Sequence, residues 1–91
     1  LDFRTPADEY RYEQNRYQSY AMLVAQMRQS SELGEQALKL AQRYQDEGET
    51  LLKQAEAEAA GGQYQQAIQT MEEANKRLVR SLQMLGLSIP G

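Results

Sequence analysis

Residues 61–87 read GGQYQQAIQTMEEANKRLVRSLQMLGL, and this stretch decides the fold. After two glycines, Tyr64, Ile68, Met71, Asn75, Leu78, Leu82 and Leu85 recur at steps of three and four. That is the spacing of one helix face, and it is regular enough to form a heptad seam. A strand would alternate at every second residue, and no such run is present. Gly61 is free to take the left-handed conformation that closes a preceding helix. Gly86 suits the position just past a last turn, with Leu87 folding back on Leu82. The spacing predicts a helix over 63–85 and an extended tail over 86–91.

Upstream, a second helix is predicted over 32–60, with Leu33, Ala37, Leu40, Tyr44, Gly48, Leu51, Ala55 and Ala59 on one stripe. Its steps are mostly four residues, which favours a straight or slightly right-handed path. Gly48 lies on the stripe, where it marks either the close approach of another helix or a kink. A first helix is predicted over 6–29. Thr5 offers a capping hydroxyl, Pro6 suits the first turn, and Asp8 and Glu9 face the positive end of the dipole. Phe3, Tyr10, Tyr17 and Val24 recur every seven residues, with Tyr20 and Met27 between them. Ser30-Ser31 followed by Glu32 reads as a break with a new N-cap. Without that break, Ser31, Gly34, Leu38 and Ala41 would continue the first face into one long helix. The expected fold is an all-α, antiparallel up-down-up three-helix bundle forming a single domain over 1–91. The alternative is a two-helix hairpin with one long helix, completed by oligomerisation.

Composition narrows the function. The 91 residues carry a net charge of −3, which argues against a nucleic-acid partner, because phosphate binding draws on clustered Lys and Arg. Lys76, Arg77 and Arg80 are the exception, and near the end of the last helix they are read as complementing its dipole. No apolar run approaches the roughly 20 residues of a membrane span. The start at Leu1-Asp2-Phe3 fits a trimmed chain or a mature exported one, so cytoplasmic and periplasmic or exported locations both stay open.

With no His and no Cys, the commonest base, the commonest metal ligand and the thiolate nucleophile are all missing. Asp46-Glu47-Gly48-Glu49 lacks the ligand spacing of a calcium loop. The chain is therefore expected to be non-enzymatic, without cofactor or metal.

Six tyrosines and Phe3 are the least ordinary feature. Those on the stripes fit a core, while an aromatic end to a thin bundle also fits a docking surface. Phe3, Tyr10, Tyr12, Tyr17 and Met22 are the candidate interaction surface. Asn75, at an inward heptad position, is the candidate register or oligomer residue; bonding to neighbouring backbone or to Tyr44 would also explain it.

Gly62-Gln63-Tyr64-Gln65-Gln66-Ala67-Ile68, with Met71 and Ala74, resembles the turn and second helix of a tetratricopeptide-type repeat, and is similar to hairpins of microtubule-interacting-and-transport domains. The resemblance covers about residues 51–78. It implies a helical hairpin and a peptide-binding module. The preceding helix is longer than such a repeat allows, and no proline closes the unit, so no binding residues carry over. The expected function is a protein–protein interaction module whose partner is a protein or peptide, possibly a second copy of itself. A structural homo-oligomer and a small-molecule carrier with an inter-helix pocket are the alternatives.

Overall fold

The computed structural model describes residues 3–30 and 32–89. It is all-α, with three helices: α1 (Pro6–Ser30), α2 (Glu35–Ala60) and α3 (Tyr64–Met84). They form an up-down-up bundle about 42 × 24 × 18 Å along its principal axes. The third helix is the axis of the molecule, since α1 and α2 each pack along it while their backbones scarcely approach one another.

Local chemistry accounts for the helix ends. The Asp8 amide donates to Thr5 Oγ1 at 3.2 Å, so Thr5 caps α1 as its hydroxyl and the following proline suggest. At the end of α2 the left-handed residue is Gly62, with φ +79°, whereas Gly61 has φ −87°. Gln63 N–H donates to the Glu58 carbonyl and Gly62 N–H to the Ala59 carbonyl, a Schellman closure one residue later than the expectation for Gly61. The α3 end follows the expected form. Gly86 has φ +96°, Leu87 N–H donates to the Leu82 carbonyl at 3.0 Å, and the two leucines share one apolar cluster.

The start of α2 differs from expectation. Ser31 lies outside the described residues, and α2 begins at Glu35 behind Gly34, which has no side-chain cap. Leu33 precedes the helix and packs among Val24, Ala41, Leu82 and Leu85. Burying that leucine anchors the connection where a serine cap was expected.

The α2 face follows the predicted stripe at Leu33, Ala37, Tyr44, Gly48, Leu51, Ala55 and Ala59, all buried or half-buried, and departs from it at Leu40, whose place inside is taken by Ala41. Its buried residues are Ala41, Gly48 and Ala55, seven apart, and Leu40 is exposed. On α3 the facing positions Ala67, Thr70, Ala74 and Ser81 are buried as well. Small residues on both sides let the two backbones approach, and that closeness decides which face turns inward. A Cβ on Gly48 would sit 3.1 Å from Leu78 Cδ2 and 3.4 Å from the Ala74 carbonyl oxygen. Ser81 Oγ donates to the Ala41 carbonyl oxygen at 2.8 Å, which fixes the contact at the other end. Gly48 thus marks close approach, and α2 continues through it.

The α1 contact is made of larger side chains. Tyr10, Tyr17 and Val24 are buried as the seven-residue spacing predicts, with Tyr20 and Met27 half-buried. Burial raises the Tyr10 and Tyr17 hydroxyls above their ordinary pKa. Glu56 and then Tyr64 add to the shift for Tyr10, and Glu49 and then Glu56 for Tyr17.

Gly48→Val is expected to lower stability by roughly 1–3 kcal/mol, because the added atoms meet the Leu78 side chain and a fixed carbonyl. The exposed control Gln54→Val should cost much less, on the order of 0.5 kcal/mol. Urea denaturation of the two variants makes the comparison. Equal midpoints would show that α2 and α3 do not meet at Gly48.

Candidate functional site

The site is built where α1 and α3 run side by side on the flank away from α2. On α1, Tyr12, Arg16, Tyr20, Leu23 and Met27 follow one another at steps of three and four, forming a second stripe beside the inward row. On α3, the exposed Glu72, Lys76 and Gln83 and the half-buried Val79 do the same. Between the walls is a groove of about 620 Å³, bordered by Arg16, Tyr20, Glu72, Lys76, Arg77, Val79, Arg80 and Gln83, with Asn75 beneath.

Its floor is a polar chain buried where the heptad seam would otherwise be apolar. Asn75 Nδ2 donates to the Glu13 carbonyl oxygen at 3.1 Å and to Glu13 Oε1 at 2.9 Å. Both partners are acceptors, which settles the orientation of the amide. Asn75 is 2% exposed and Glu13 6%. The amide oxygen, Asn75 Oδ1, has no donor among the described residues. Burying a carboxylate costs several kcal/mol unless it is paired and hydrogen-bonded, and Glu13 has both kinds of partner. Arg16 Nη1 donates to Glu13 Oε1 at 3.2 Å, and Arg16 Nη2 donates to the Tyr20 hydroxyl at 3.0 Å. The guanidinium carbon stands 5.5 Å from the centre of the Tyr20 ring. The Tyr20 hydrogen bond is the main influence raising Arg16 above its ordinary pKa; burial opposes it and Glu13 reinforces it. Arg16 is thus a permanent cation held in one place at the groove wall.

The other cations behave differently. Arg77 pairs with Glu47 of α2 at 3.1 Å and with Glu73 at 3.6 Å, tying the two helices together. Lys76 pairs with its exposed neighbour Glu73 at 3.2 Å. Arg80 has no ion-pair or hydrogen-bond partner among the described residues. The last turn of α3 contains no basic residue, so the expected dipole role for Lys76, Arg77 and Arg80 is replaced by groove wall and helix tie. The dipole effect falls off within a single turn, and these side chains lie too far back.

The sequence-selected residues separate. Tyr10 and Tyr17 are core. Phe3 and Tyr12 are exposed and stack at a tilt, ring centres 5.3 Å apart, with Tyr12 one turn before Arg16 on the groove stripe. Met22 is 66% exposed on the far side of α1. The five do not form one patch. Asn75 is covered within a single chain by Glu13, across 62 residues of sequence, with no bond to Tyr44.

Glu13 and the groove cations were not selected from sequence. The signal for Glu13 was its place three residues after Tyr10 and four before Tyr17, a charge on an apolar row. Lys76 and Arg80 stood out as part of a basic cluster but were assigned to the helix dipole, because nothing local told which neighbour α3 would present them to; Arg16 carried no signal. A second recess, uncharged and about 610 Å³, lies at the bundle end between Thr5-Pro6-Ala7 and Gly62–Gln66. Among the described residues no His, Cys, Asp or Glu cluster is placed to hold a metal ion, and no helix is long and apolar enough to cross a membrane. No family model matches this chain, and neither does any curated protein or solved structure.

Asn75→Leu leaves a buried carboxylate with one partner fewer, and is expected to cost about 1–3 kcal/mol. Combining it with Glu13→Leu should recover much of that loss, since apolar replacement of both partners of a buried pair is close to neutral. A double-mutant cycle in urea measures the coupling. Simple addition of the two single losses would mean the residues are independent.

Proposed function

We propose that this chain is a non-enzymatic protein–protein interaction module, and that a segment of another protein lies in the groove between α1 and α3. The observation that carries the reading is the arrangement around Asn75. A protein of net charge −3 gathers Arg16, Lys76 and Arg80 about one groove. Arg16 is pre-positioned there by Glu13 and Tyr20, so little ordering remains to be done when a partner arrives.

The groove also has the mixed character of an interface centre. Tyr20 and Val79 supply apolar surface between the cations, and Tyr12 with Phe3 extends it as exposed aromatic area. Tyr and Arg are the side chains that most often dominate binding energy. The homo-oligomer reading draws less support, because Asn75 is already covered inside one chain. The carrier reading draws less as well, because the groove between the helices has charged walls and the uncharged recess lies at the bundle end, between the start of α1 and the α2–α3 turn.

A photo-crosslinking side chain placed at Gln83, which borders the groove, should form discrete adducts with a second protein in the source cells. One placed at Gln36, exposed on α2, should not. Adducts at Gln83 are expected to disappear when Arg16→Glu and Arg80→Glu are added together. Equal adducts at both positions, or adducts indifferent to the charge reversal, would remove the groove from the account.

A further inference from the structure

Resting on that reading, we propose that the occupant of the α1–α3 groove is an acidic amphipathic helix carrying carboxylates one turn apart, packed lengthwise as a fourth helix of the bundle.

The shape comes first. The groove is the valley between two helices running in the same direction over most of their lengths, and such a valley takes another helix along it. Among the described residues there are three helices and short connections, and no sheet edge is offered to an extended peptide. A helix seated here would cover the half-buried Tyr20 and Val79.

Charge then selects the kind of helix. Lys76 and Arg80 are four residues apart on α3, one turn, or about 6 Å of rise. Arg16 stands across the groove from them on α1. Carboxylates at positions i and i+4 of the incoming helix would face the first two, and a third acid on its other edge would meet Arg16. Arg16 is already paired with Glu13 and would share its charge with that acid, whereas the two α3 cations are available. Arg80 is unpaired among the described residues. Lys76 is held only by Glu73, with the two side chains 67% and 49% exposed, and a pair so solvated is worth little. Glu72 borders the same groove, and it works against a nucleic-acid strand, whose phosphates need an unbroken cationic track. A partner helix can avoid Glu72 by placing a neutral or basic residue opposite it.

The test is a ¹⁵N–¹H titration of the full chain with three helical peptides of about three turns each. They share apolar positions and differ only in carrying Glu, Gln or Lys at the polar contact positions. The Glu peptide is expected to shift the amides of Arg16, Tyr20, Lys76, Val79, Arg80 and Gln83. Its binding should fall roughly tenfold with Arg80→Glu, and should weaken as salt rises. Arg80 is exposed, so that variant should keep the parent spectrum elsewhere; Lys76→Glu is the second variant. If the Gln peptide binds the same amides as tightly as the Glu peptide, the groove remains a docking site and the acidic partner is wrong. If the Glu peptide leaves these amides unmoved while Gln83 still crosslinks, the inference fails and the interaction reading survives. Stronger shifts of the same amides by inorganic phosphate or a short DNA duplex would overturn the helix in favour of a plain anion site. Shifts that grow with the chain's own concentration would overturn it in favour of a second copy.

Discussion

The bundle turns on one buried polar contact, the amide of Asn75 donating to both the backbone and the carboxylate of Glu13. Apolar surfaces alone hold two helices together but allow them to slide, because burial is non-directional. A hydrogen bond has a defined length and angle, and an unmade one in the interior costs more than a made one contributes. Moving α1 along α3 by a single turn would carry Glu13 away from Asn75 and leave its carboxylate opposite apolar α3 residues such as Met71 or Leu78. The register of α1 on α3 is therefore set at this point, and the positions of Arg16 and Tyr20 follow from it.

The two neighbours of α3 are held by different means. Against α2 the contact is close, with Gly48, Ala41 and Ala55 facing Ala67, Ala74 and Ser81, and Arg77 and Thr70 reaching Glu47 and Glu58 at the edge. Against α1 it is wider, filled by tyrosine rings and opened on one flank by the polar network. A wide contact with a charged flank is what forms the groove. The groove is thus a consequence of using large side chains and a buried ionic group on one side of α3, and small side chains on the other.

Much of this was legible in the sequence. The helix class, the break near Ser30, the Thr5 cap, the Gly86–Leu87 closure and the inward heptad of α3 all follow from rules that act within a turn or two of the chain. What was missed depends on partners far away in sequence. Ala41 replaces Leu40 on the inner face of α2 because α3 comes close enough to exclude a larger residue. Gly62 replaces Gly61 as the left-handed residue, since either glycine could have served and the hydrogen bonds to Ala59 and Glu58 chose between them. Asn75 was legible as inward and its partner was not, because Glu13 lies 62 residues away. The groove cations were read as a helix-end effect for the same reason.

Asn75 and Glu13 join α1 to α3 inside one chain. The most direct measurement is the side-chain amide of Asn75 in ¹⁵N-labelled protein. Two separated NH₂ signals, slow to exchange with solvent and showing through-space contact to the Glu13 side chain, are the predicted result. A side-chain amide at the position of an unstructured asparagine, exchanging freely and without contact to Glu13, would contradict the register, and with it the groove.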